Sequence, residues 1–388
     1  MDFMPSQRGA TPSIVEKLAK LACELETKQG KKIIRLQVGQ PSTGAPKAAL
    51  QAAIKAINQL PLGYTQAAGI TPLRQRLAQH YLEQYGVHVD QNRIIVSIGA
   101  SGAMILAIVG CFDVGARIGL PMPFYSGYRH ALGTLGIHCV PFGTSSKHKY
   151  QPTVQDIEKI PGGIDGLIIA SPGNPTGSML SPAELNALAT YCQTKKIRLI
   201  SDEIYHGITY QKNVPAASAI QFSQEAIVVN SFSKYYSMPG WRLGWMVAPD
   251  YLVEPLINLA HNLYLSPPAP SQYAGLAALD CREELDQNVI HYAHNRDILL
   301  RELPQAGFDQ FMAPDGAFYF YCHVDHMGSD SMKFCIAALH ECGVLMSPGI
   351  DYDPTHGHKF VRMSYAGSTE DIEEAMDRLK KWVQMKKS

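Results

Sequence analysis

The sequence has no excess of charge of either sign. Its 388 residues include 34 basic and 34 acidic side chains, and charged residues make up only 18% of the chain. The basic residues form no long run, since the pairs Lys380-Lys381 and Lys386-Lys387 are too short to form a binding patch. Proteins that bind nucleic acid through its phosphates normally carry a basic surface. We therefore expect neither nucleic acid nor a membrane among the partners.

The cysteines follow no metal-binding or disulfide spacing. There are eight, scattered along the chain, and none forms a Cys-x-x-Cys pair. The histidines of His356-Gly357-His358 and the pair His323 and His326 also lack the organised spacing of a ligand set, so we expect no metal site. The first residues lack the basic flank and apolar segment of a signal peptide. These absences predict a cytoplasmic protein in a reducing compartment.

One uncharged stretch, residues 94–112, is long enough in principle to cross a bilayer. Small residues interrupt it at Gly99-Ala100-Ser101-Gly102. We therefore interpret the stretch as a buried strand, a tight loop and a buried helix rather than as a membrane span.

From residue 94 onward, short apolar segments alternate with helical patterns. The segments that we predict to be strands are residues 94–97, 116–120, 138–142, 166–170, 198–201, 226–229 and 243–247. They are too apolar for a sheet with one solvated face, and we expect helices between most of them, including one over residues 181–195 that starts with a serine-proline pair. This pattern predicts the α/β class, with a mostly parallel seven-stranded sheet sandwiched by helices.

The rest of the chain predicts a second, smaller α+β domain. Helical patterns dominate from Asp250 to about Leu303. The predicted elements outside the large sheet include helices over residues 13–27, 332–342 and 369–383 and strands over residues 33–38, 317–321 and 359–363. We expect a large domain over residues 45–280 and a small domain formed by residues 1–44 together with residues 281–388.

The residues most suited to chemistry follow the predicted strands. In open α/β sheets, ligands bind beyond the carboxyl ends of the strands. Lys234 follows the strand over residues 226–229, where burial can lower its pKa and make its amine a nucleophile. Nearby, Ser231 and Arg242 offer a hydroxyl and a guanidinium group suited to a phosphate. The alternative is an ordinary surface lysine in a turn.

Four other strand ends carry suitable groups. The loop Gly99-Ala100-Ser101-Gly102 opens a helix, and its N–H groups and serine hydroxyl can bind a phosphate. Tyr125 can stack on a flat ring, Asn174 offers an amide, and Asp202 and Tyr205 can bind a ring nitrogen and a phenolate oxygen. Each residue has an ordinary alternative, such as a core tyrosine, an Asn-Pro turn or a helix N-cap. Together they favour a phosphorylated pyridine as ligand.

With these residues the chain resembles, over nearly its whole length, the class I/II aminotransferases, which are pyridoxal-5′-phosphate (PLP) enzymes with the aspartate-aminotransferase fold. The motifs that carry the resemblance, in the family's order, are Gly63-Tyr64-Thr65, Gly99-Ala100-Ser101, Pro123-Phe124-Tyr125, Asn174-Pro175-Thr176-Gly177, Asp202-Glu203-Ile204-Tyr205, Ser231-Phe232-Ser233-Lys234, Gly240-Trp241-Arg242-Leu243-Gly244 and Arg362-Met363-Ser364. Tyr125 is a moderate departure, because the family often has tryptophan there.

The resemblance implies a role for each residue. Lys234 would bind PLP as a Schiff base and carry the substrate proton, so Lys234, Asp202 and Tyr205 are the expected catalytic residues. The expected cofactor-binding residues are Tyr64, Ala100, Ser101, Tyr125, Asn174, Asp202, Tyr205, Ser231, Lys234 and Arg242. The expected substrate-binding residues are Gly39, Asn174 and Arg362. Tyr64 would reach the phosphate of the other subunit, which implies a homodimer.

The implied function is transfer of an amino group from an α-amino acid to a 2-oxo acid by a ping-pong mechanism. A PLP-dependent β-lyase, related to C–S lyases, uses the same residues and stays open. A PLP-binding regulatory module is disfavoured, because such chains carry an N-terminal winged-helix domain and the pattern here starts within the first forty residues. Ser101 stands where one branch often has a lysine that reads a distal carboxylate. This weakens an aspartate-specific assignment and leaves neutral, aromatic or sulfur-containing side chains open.

Overall fold

The computed structural model describes residues 6–9, 13–210, 216–327 and 330–387. In these residues the α-helices are α1 (Ile14–Gln29), α2 (Lys47–Gln59), α3 (Thr71–Tyr85), α4 (Gly99–Cys111), α5 (Ser126–Thr134), α6 (Val154–Glu158), α7 (Pro182–Lys195), α8 (Asp250–Tyr264), α9 (Ala269–Ala278), α10 (Arg282–Glu302), α11 (Ser331–Cys342) and α12 (Thr369–Lys387). The strands are β1 (Ile34–Arg35), β2 (Ile94–Ser97), β3 (Arg117–Met122), β4 (His138–Gly143), β5 (Gly166–Ala170), β6 (Arg198–Asp202), β7 (Ile227–Ser231), β8 (Gly244–Val247), β9 (Tyr319–His323), β10 (Val344–Leu345), β11 (Ser347–Pro348) and β12 (Phe360–Ser364).

A seven-stranded sheet in the order β2-β8-β7-β6-β5-β3-β4 forms the centre of the molecule. Its strands pair in parallel except β8, which is antiparallel to both β2 and β7. Every residue of β2, β7 and β8 is buried. Strands covered on both faces need apolar residues at successive positions, which explains their uninterrupted apolar runs. The predicted α/β class with a mostly parallel seven-stranded sheet is confirmed.

The uncharged stretch over residues 94–112 divides into two elements, as expected. Residues 94–97 form β2, and α4 starts two residues later with Gly99, whose φ of +77° makes the sharp turn possible. Among the described helices, none has the length and apolar character that crossing a membrane requires.

Sequence signals for helix ends agree with the structure in α7. The Ser181 hydroxyl accepts a hydrogen bond from the Glu184 N–H at 3.3 Å, and the Glu184 carboxylate accepts one from the Ser181 N–H at 2.8 Å. Pro182 occupies the first turn, where its missing N–H costs nothing. The helix ends at Lys195, and the next residue, Lys196, adopts the left-handed conformation. This capping box explains why the predicted start at the Ser181-Pro182 pair is correct.

The remaining strands form two small sheets. Strands β11, β12 and β9 form an antiparallel sheet in that order, and β1 pairs in parallel with β10. The strand predicted over residues 33–38 is shorter than expected, because β10 offers only two residues for pairing. Residues 37–39 instead line a cavity. The apolar residues around these sheets form a hydrophobic cluster separate from those on the large sheet. The predicted domain boundaries stay a prediction.

Candidate active site

A cavity of about 600 Å³ lies beyond the carboxyl ends of β5 and β6, where Ala170 and Asp202 line it. This is the edge of the sheet at which the sequence places the functional groups. The predicted site residues that line the cavity are Gly39, Ala100, Ser101, Tyr125, Asn174, Asp202, Tyr205, Lys234, Arg242 and Arg362. Residues far apart in the sequence therefore meet in one place.

Lys234 lies in the turn after β7, with its amine inside the cavity. Its Nζ donates a hydrogen bond to the Gly39 carbonyl oxygen. Burial and the positive charges of Arg362 and Arg242 together lower the pKa of Lys234 to about 8, although the Asp202 carboxylate opposes the shift. An amine with such a pKa is partly deprotonated near neutral pH and can act as a nucleophile or a base. Lys234 is therefore not an ordinary surface lysine.

Asp202 is the last residue of β6, and its carboxylate is buried. One oxygen accepts a hydrogen bond from the Tyr128 hydroxyl, and the other accepts one from the Ile204 N–H at 3.1 Å. Burial raises the pKa of Asp202, and these hydrogen bonds together with the Lys234 charge limit the rise. Neutral donors only partly compensate a buried carboxylate, so a cationic N–H group in the cavity would be a strong partner.

Tyr205 follows Asp202 by three residues and lines the cavity. It forms a hydrogen bond of 2.7 Å with the Tyr319 hydroxyl of β9. Gly39 packs against Tyr319. A Cβ atom at residue 39 would lie only 2.0 Å from the Tyr319 hydroxyl oxygen. Glycine at this position thus lets the carbonyl group that contacts Lys234 approach closely.

Arg362 of β12 presents a buried guanidinium group. Its Nη1 donates to the Asn174 side-chain oxygen at 3.0 Å, and its Nη2 donates to the Gln37 carbonyl oxygen. The guanidinium carbon lies 4.3 Å from the centre of the Tyr319 ring and 5.0 Å from that of Tyr352. The rings and the neutral oxygens orient the guanidinium and leave its charge available for an anion.

The loop that starts α4 packs directly against β8. A Cβ atom at Gly244 would lie 2.7 Å from the Gly99 carbonyl carbon and 2.8 Å from the Ala100 nitrogen. A Cβ atom at Gly99 would lie 2.7 Å from Arg242 Nη2. The N-terminus of a 13-residue helix and a guanidinium group therefore meet where Ser101 lines the cavity. This combination suits a phosphate.

Two predicted site residues do not line the cavity. Ser231 is 1% exposed, and its hydroxyl contacts the Leu243 carbonyl oxygen at 3.1 Å and Ser233 Oγ at 2.9 Å, so it holds the turn that carries Lys234. Tyr64 is 85% exposed on the surface of the single chain. By contrast, Tyr125 lines the cavity half-exposed, with its ring packed edge-on against Tyr128.

Sequence reasoning missed three tyrosines of the site. Tyr128 contacts the Asp202 carboxylate, and Tyr319 and Tyr352 cover the Arg362 guanidinium. Tyr128 follows Tyr125 by three residues at the start of α5, so helical spacing towards the same cavity was an available signal. No comparable signal existed for Tyr319, which lies in β9, or for Tyr352, which lies in the turn after β11.

Comparisons with known proteins agree with this geometry. The family model "Aminotransferase class I and II" matches residues 31–379. A valine–pyruvate aminotransferase from Mycobacterium tuberculosis is 40% identical over 384 residues, which cover 98% of this chain and 99% of that protein. An aminotransferase structure from Mycobacterium tuberculosis superimposes with a TM-score of 0.96 at 40% identity, covering 99% of this chain and 100% of the other. The structure of an aspartate aminotransferase from Thermus thermophilus with maleate superimposes with a TM-score of 0.91 at 27% identity. The alignment covers 98% of this chain and 100% of that one.

The family match spans most of the chain, and the similar proteins cover it almost completely. The resemblance inferred from the motifs is therefore confirmed. The chain belongs to the aminotransferase class I and II family, has the aspartate-aminotransferase-like fold and is an enzyme of the transferase class.

Proposed function

We propose that the chain is a PLP-dependent aminotransferase that moves an amino group from an α-amino acid to a 2-oxo acid in two half-reactions. The observation that carries the proposal is the meeting of the Lys234 amine, the Asp202 carboxylate and the Arg362 guanidinium in one cavity. These groups are suited to an aldehyde, a ring nitrogen and a substrate carboxylate, respectively.

The residues of the cavity fit PLP, the cofactor of this family. The N-terminus of α4 with Ala100 and Ser101, together with Arg242, would hold the phosphate, and Ser231 would support this site from within its turn. The groups proposed to contact the ring are Tyr125 on its face, Asp202 at its nitrogen and Asn174 and Tyr205 at its phenolate oxygen. The fit rests on the buried Asp202 carboxylate, whose hydrogen-bond donors among the described residues are neutral.

Bound PLP would supply an electron sink for the electron pair left at the substrate Cα. The chain itself would move the proton: Lys234 Nζ accepts it from the Cα as general base and later returns it as general acid. A pKa of about 8 places the amine near the operating pH for both tasks. Arg362 would hold the substrate α-carboxylate through two hydrogen bonds, with Asn174 and the Gly39 backbone beside it, and so orient the Cα–H bond.

The proposed active unit is a homodimer. Leu50, Ile54 and Ile57 are exposed and lie on one face of α2, where their spacing forms an apolar stripe. Tyr64, on the loop after this helix, is exposed in the single chain and is proposed to contact the phosphate in the partner's site. An exposed apolar stripe of this kind is typical of a subunit interface.

The fold by itself does not select the substrate, because similar proteins are named for valine and pyruvate and for aspartate. The valine–pyruvate relative, which aligns with almost the entire chain, is named for two compounds with one carboxylate each. This supports a pair of monocarboxylic substrates here. The amino donor and acceptor are otherwise proposed only as an α-amino acid and a 2-oxo acid.

Lys234→Ala tests the proposal. We expect the variant to lose turnover by at least about a thousandfold and to lose the absorbance of lysine-linked PLP, because the proton carrier and the attachment point are the same amine. Lys381→Ala, an exposed lysine of α12, is the matched control and should behave like the wild type. Lysine-linked absorbance in Lys234→Ala would refute the assignment. Release of ammonia and pyruvate from cysteine conjugates, without need for an oxo acid, would instead indicate a β-lyase.

The same variant tests the homodimer by complementation. Tyr64→Ala should weaken the phosphate site of the partner, so each homodimer of a single variant is impaired. A mixed dimer of Lys234→Ala and Tyr64→Ala chains contains one complete site and should regain activity. No gain on mixing would contradict a site shared between subunits.

A further inference from the structure

One carboxylate of the cavity has no part in the proposed chemistry. Asp351 lines the cavity and is 4% exposed, and its Oδ2 accepts a hydrogen bond of 2.9 Å from the Ser126 hydroxyl at the start of α5. No ion pair involves Asp351 in the part of the chain that the structure describes. Burying a carboxylate without a cation beside it is costly, so its presence calls for a reason.

The turn that carries Asp351 is held rigidly. It directly follows β11, whose Ser347 pairs with Arg362, so the small sheet fixes the start of this turn next to the proposed carboxylate-binding arginine. The Tyr352 carbonyl oxygen accepts a hydrogen bond of 3.0 Å from the Phe124 N–H, which joins the turn to the loop before Tyr125. The position of the Asp351 carboxylate in the cavity is thus determined from two sides.

Asp351 acts electrostatically on the same part of the site. Burial is the main cause of the raised pKa of Tyr125, and the negative charges of Asp202 and Asp351 add to it. Asp351 is also among the groups whose charge raises the pKa of Arg362 against the effect of burial. The carboxylate therefore lies within interaction range of the proposed ring-stacking and carboxylate-binding residues.

Each positive charge that lines the cavity already has a proposed task. The basic residues that line the cavity among the described residues are Lys234, Arg242 and Arg362, and each has a proposed partner in the amine chemistry, the phosphate or the α-carboxylate. Val15 and Val38 add apolar lining. Among the described lining residues, a second carboxylate on a substrate would thus find neutral groups and the negative charge of Asp351, and no cation without a proposed task.

We propose that Asp351 is a specificity-determining residue that excludes substrates with a second carboxylate. It would restrict the enzyme to monocarboxylic α-amino acids and monocarboxylic 2-oxo acids. This inference rests on the proposed amino-transfer function, because it assigns Arg362 to the α-carboxylate. Its physical basis is repulsion between two carboxylates in a cavity lined by protein, where screening is weaker than in bulk water.

The kinetic test compares valine and alanine with aspartate and glutamate in the first half-reaction of the holoenzyme. The wild type should favour the monocarboxylic amino acids. Asp351→Asn keeps an oxygen for the Ser126 hydroxyl and removes the charge, and it should raise the ratio of dicarboxylic to monocarboxylic kcat/KM by at least about tenfold. Asp351→Ser, a second uncharged variant, should move the ratio in the same direction.

Asp353→Asn is the matched control. Asp353 is also buried and lies two residues further along, but it accepts hydrogen bonds from the Thr355 and His356 N–H groups and does not line the cavity. Its ratio should stay within about twofold of the wild type. An unchanged ratio in both Asp351 variants, or an equal change in Asp353→Asn, would overturn the proposal.

Equilibrium binding separates this inference from the proposed function. Succinate and butanoate each have four carbons, but succinate carries two carboxylates and butanoate carries one. Calorimetry with the holoenzyme measures their dissociation constants without turnover. Asp351→Asn should strengthen succinate binding relative to butanoate binding by at least about tenfold. If the wild type transfers no amino group, the proposed function fails, yet this ratio still decides the role of Asp351. An unchanged ratio in an active enzyme contradicts the Asp351 assignment alone.

Discussion

At the scale of single residues, the cavity gathers charges that would be unfavourable if buried one at a time. It is lined by Asp202, Lys234 and Arg362. The Lys234 charge lowers the pKa of Asp202, the Asp202 charge raises the pKa of Lys234, and the Arg362 charge lowers it. Removing an ionised side chain from water costs several kcal/mol, so a group of this kind is retained for function rather than for stability. The tyrosines around the charges supply hydrogen bonds without adding charge.

Tyr128→Phe is expected to weaken catalysis through Asp202. Burial raises the pKa of Asp202, and the hydrogen bond from the Tyr128 hydroxyl opposes that rise. Without the hydroxyl the pKa should rise further, so the carboxylate becomes protonated at a higher pH. We expect the acidic limb of the kcat/KM profile to move to higher pH and kcat/KM near neutral pH to fall about tenfold. Steady-state kinetics over pH measure both effects.

Tyr264→Phe provides the comparison for this variant. The Tyr264 hydroxyl of α8 is buried and has no hydrogen-bond partner in the described residues, so its removal should leave the pH profile unchanged. An acidic limb at the same pH in Tyr128→Phe and in the wild type would show that Tyr128 does not support the Asp202 charge.

At the scale of elements, the proposed phosphate site depends on close packing between a strand and the start of a helix. β8 runs antiparallel between β2 and β7, and α4 follows β2 directly. Gly244 of β8 allows the backbone of Gly99 and Ala100 to approach, which directs the first N–H groups of α4 towards the cavity. The close packing of Gly99 against Gly244 therefore determines where the anion would bind.

Gly244→Ala is expected to lower the affinity for PLP by at least about tenfold, equivalent to about 1.4 kcal/mol. Its Cβ would meet backbone atoms at 2.7–2.9 Å, so the start of α4 would have to move away from β8. Titration of the apoenzyme with PLP, followed by absorbance, measures the affinity, and thermal unfolding reports whether the variant is folded.

Gly240→Ala is the matched control, because a Cβ there would have no atom within 4 Å. It lies in the turn that leads to the same strand and should retain the affinity of the wild type for PLP. Equal affinities of two folded proteins, Gly244→Ala and Gly240→Ala, would contradict the packing requirement.

At the scale of the whole molecule, a buried acid next to the site makes stability depend on pH. Glu203 is 1% exposed; its Oε1 accepts hydrogen bonds from Ser201 Oγ at 3.0 Å and the Ala219 N–H at 2.8 Å. Its Oε2 lies 3.6 Å from His206 Nδ1, beyond the usual length of a hydrogen bond. Burial raises the pKa of Glu203 to about 7 from an ordinary 4.5, and the Asp202 charge contributes to the rise.

The folded state consequently holds this proton more tightly than the unfolded state. The resulting stabilisation is complete below pH 4.5 and is lost as the pH rises through 7. Glu203→Gln cannot titrate and removes this dependence. The unfolding free energy of the variant minus that of the wild type should therefore increase by about 3 kcal/mol from pH 4.5 to pH 8. Urea unfolding at both pH values measures the difference. A stability difference that is the same at both pH values would contradict this prediction. Glu283→Gln, on the exposed surface of α10, is the control and should show no pH-dependent change in stability relative to the wild type.

The strands and most helices were predictable because each has a local cause. The uninterrupted apolar runs indicated strands covered on both faces, and the Ser181-Pro182 pair indicated the start of α7. The strand over residues 33–38 was predicted too long, because its length depends on β10, more than 300 residues later in the chain. Local patterns contain no information about the length of a distant partner.

The order of residues alone was sufficient to identify the family. Strand-end motifs pointed to Lys234 and Asp202, because they place functional groups by short-range geometry, and the resemblance added Arg362. Only the folded chain could show that Tyr128 supports Asp202 and that Asp351 enters the same cavity as Arg362. Burial, charge and hydrogen-bond partners arise from segments hundreds of residues apart. A side chain's pKa and its role in selecting substrates therefore depend on packing that no local motif specifies.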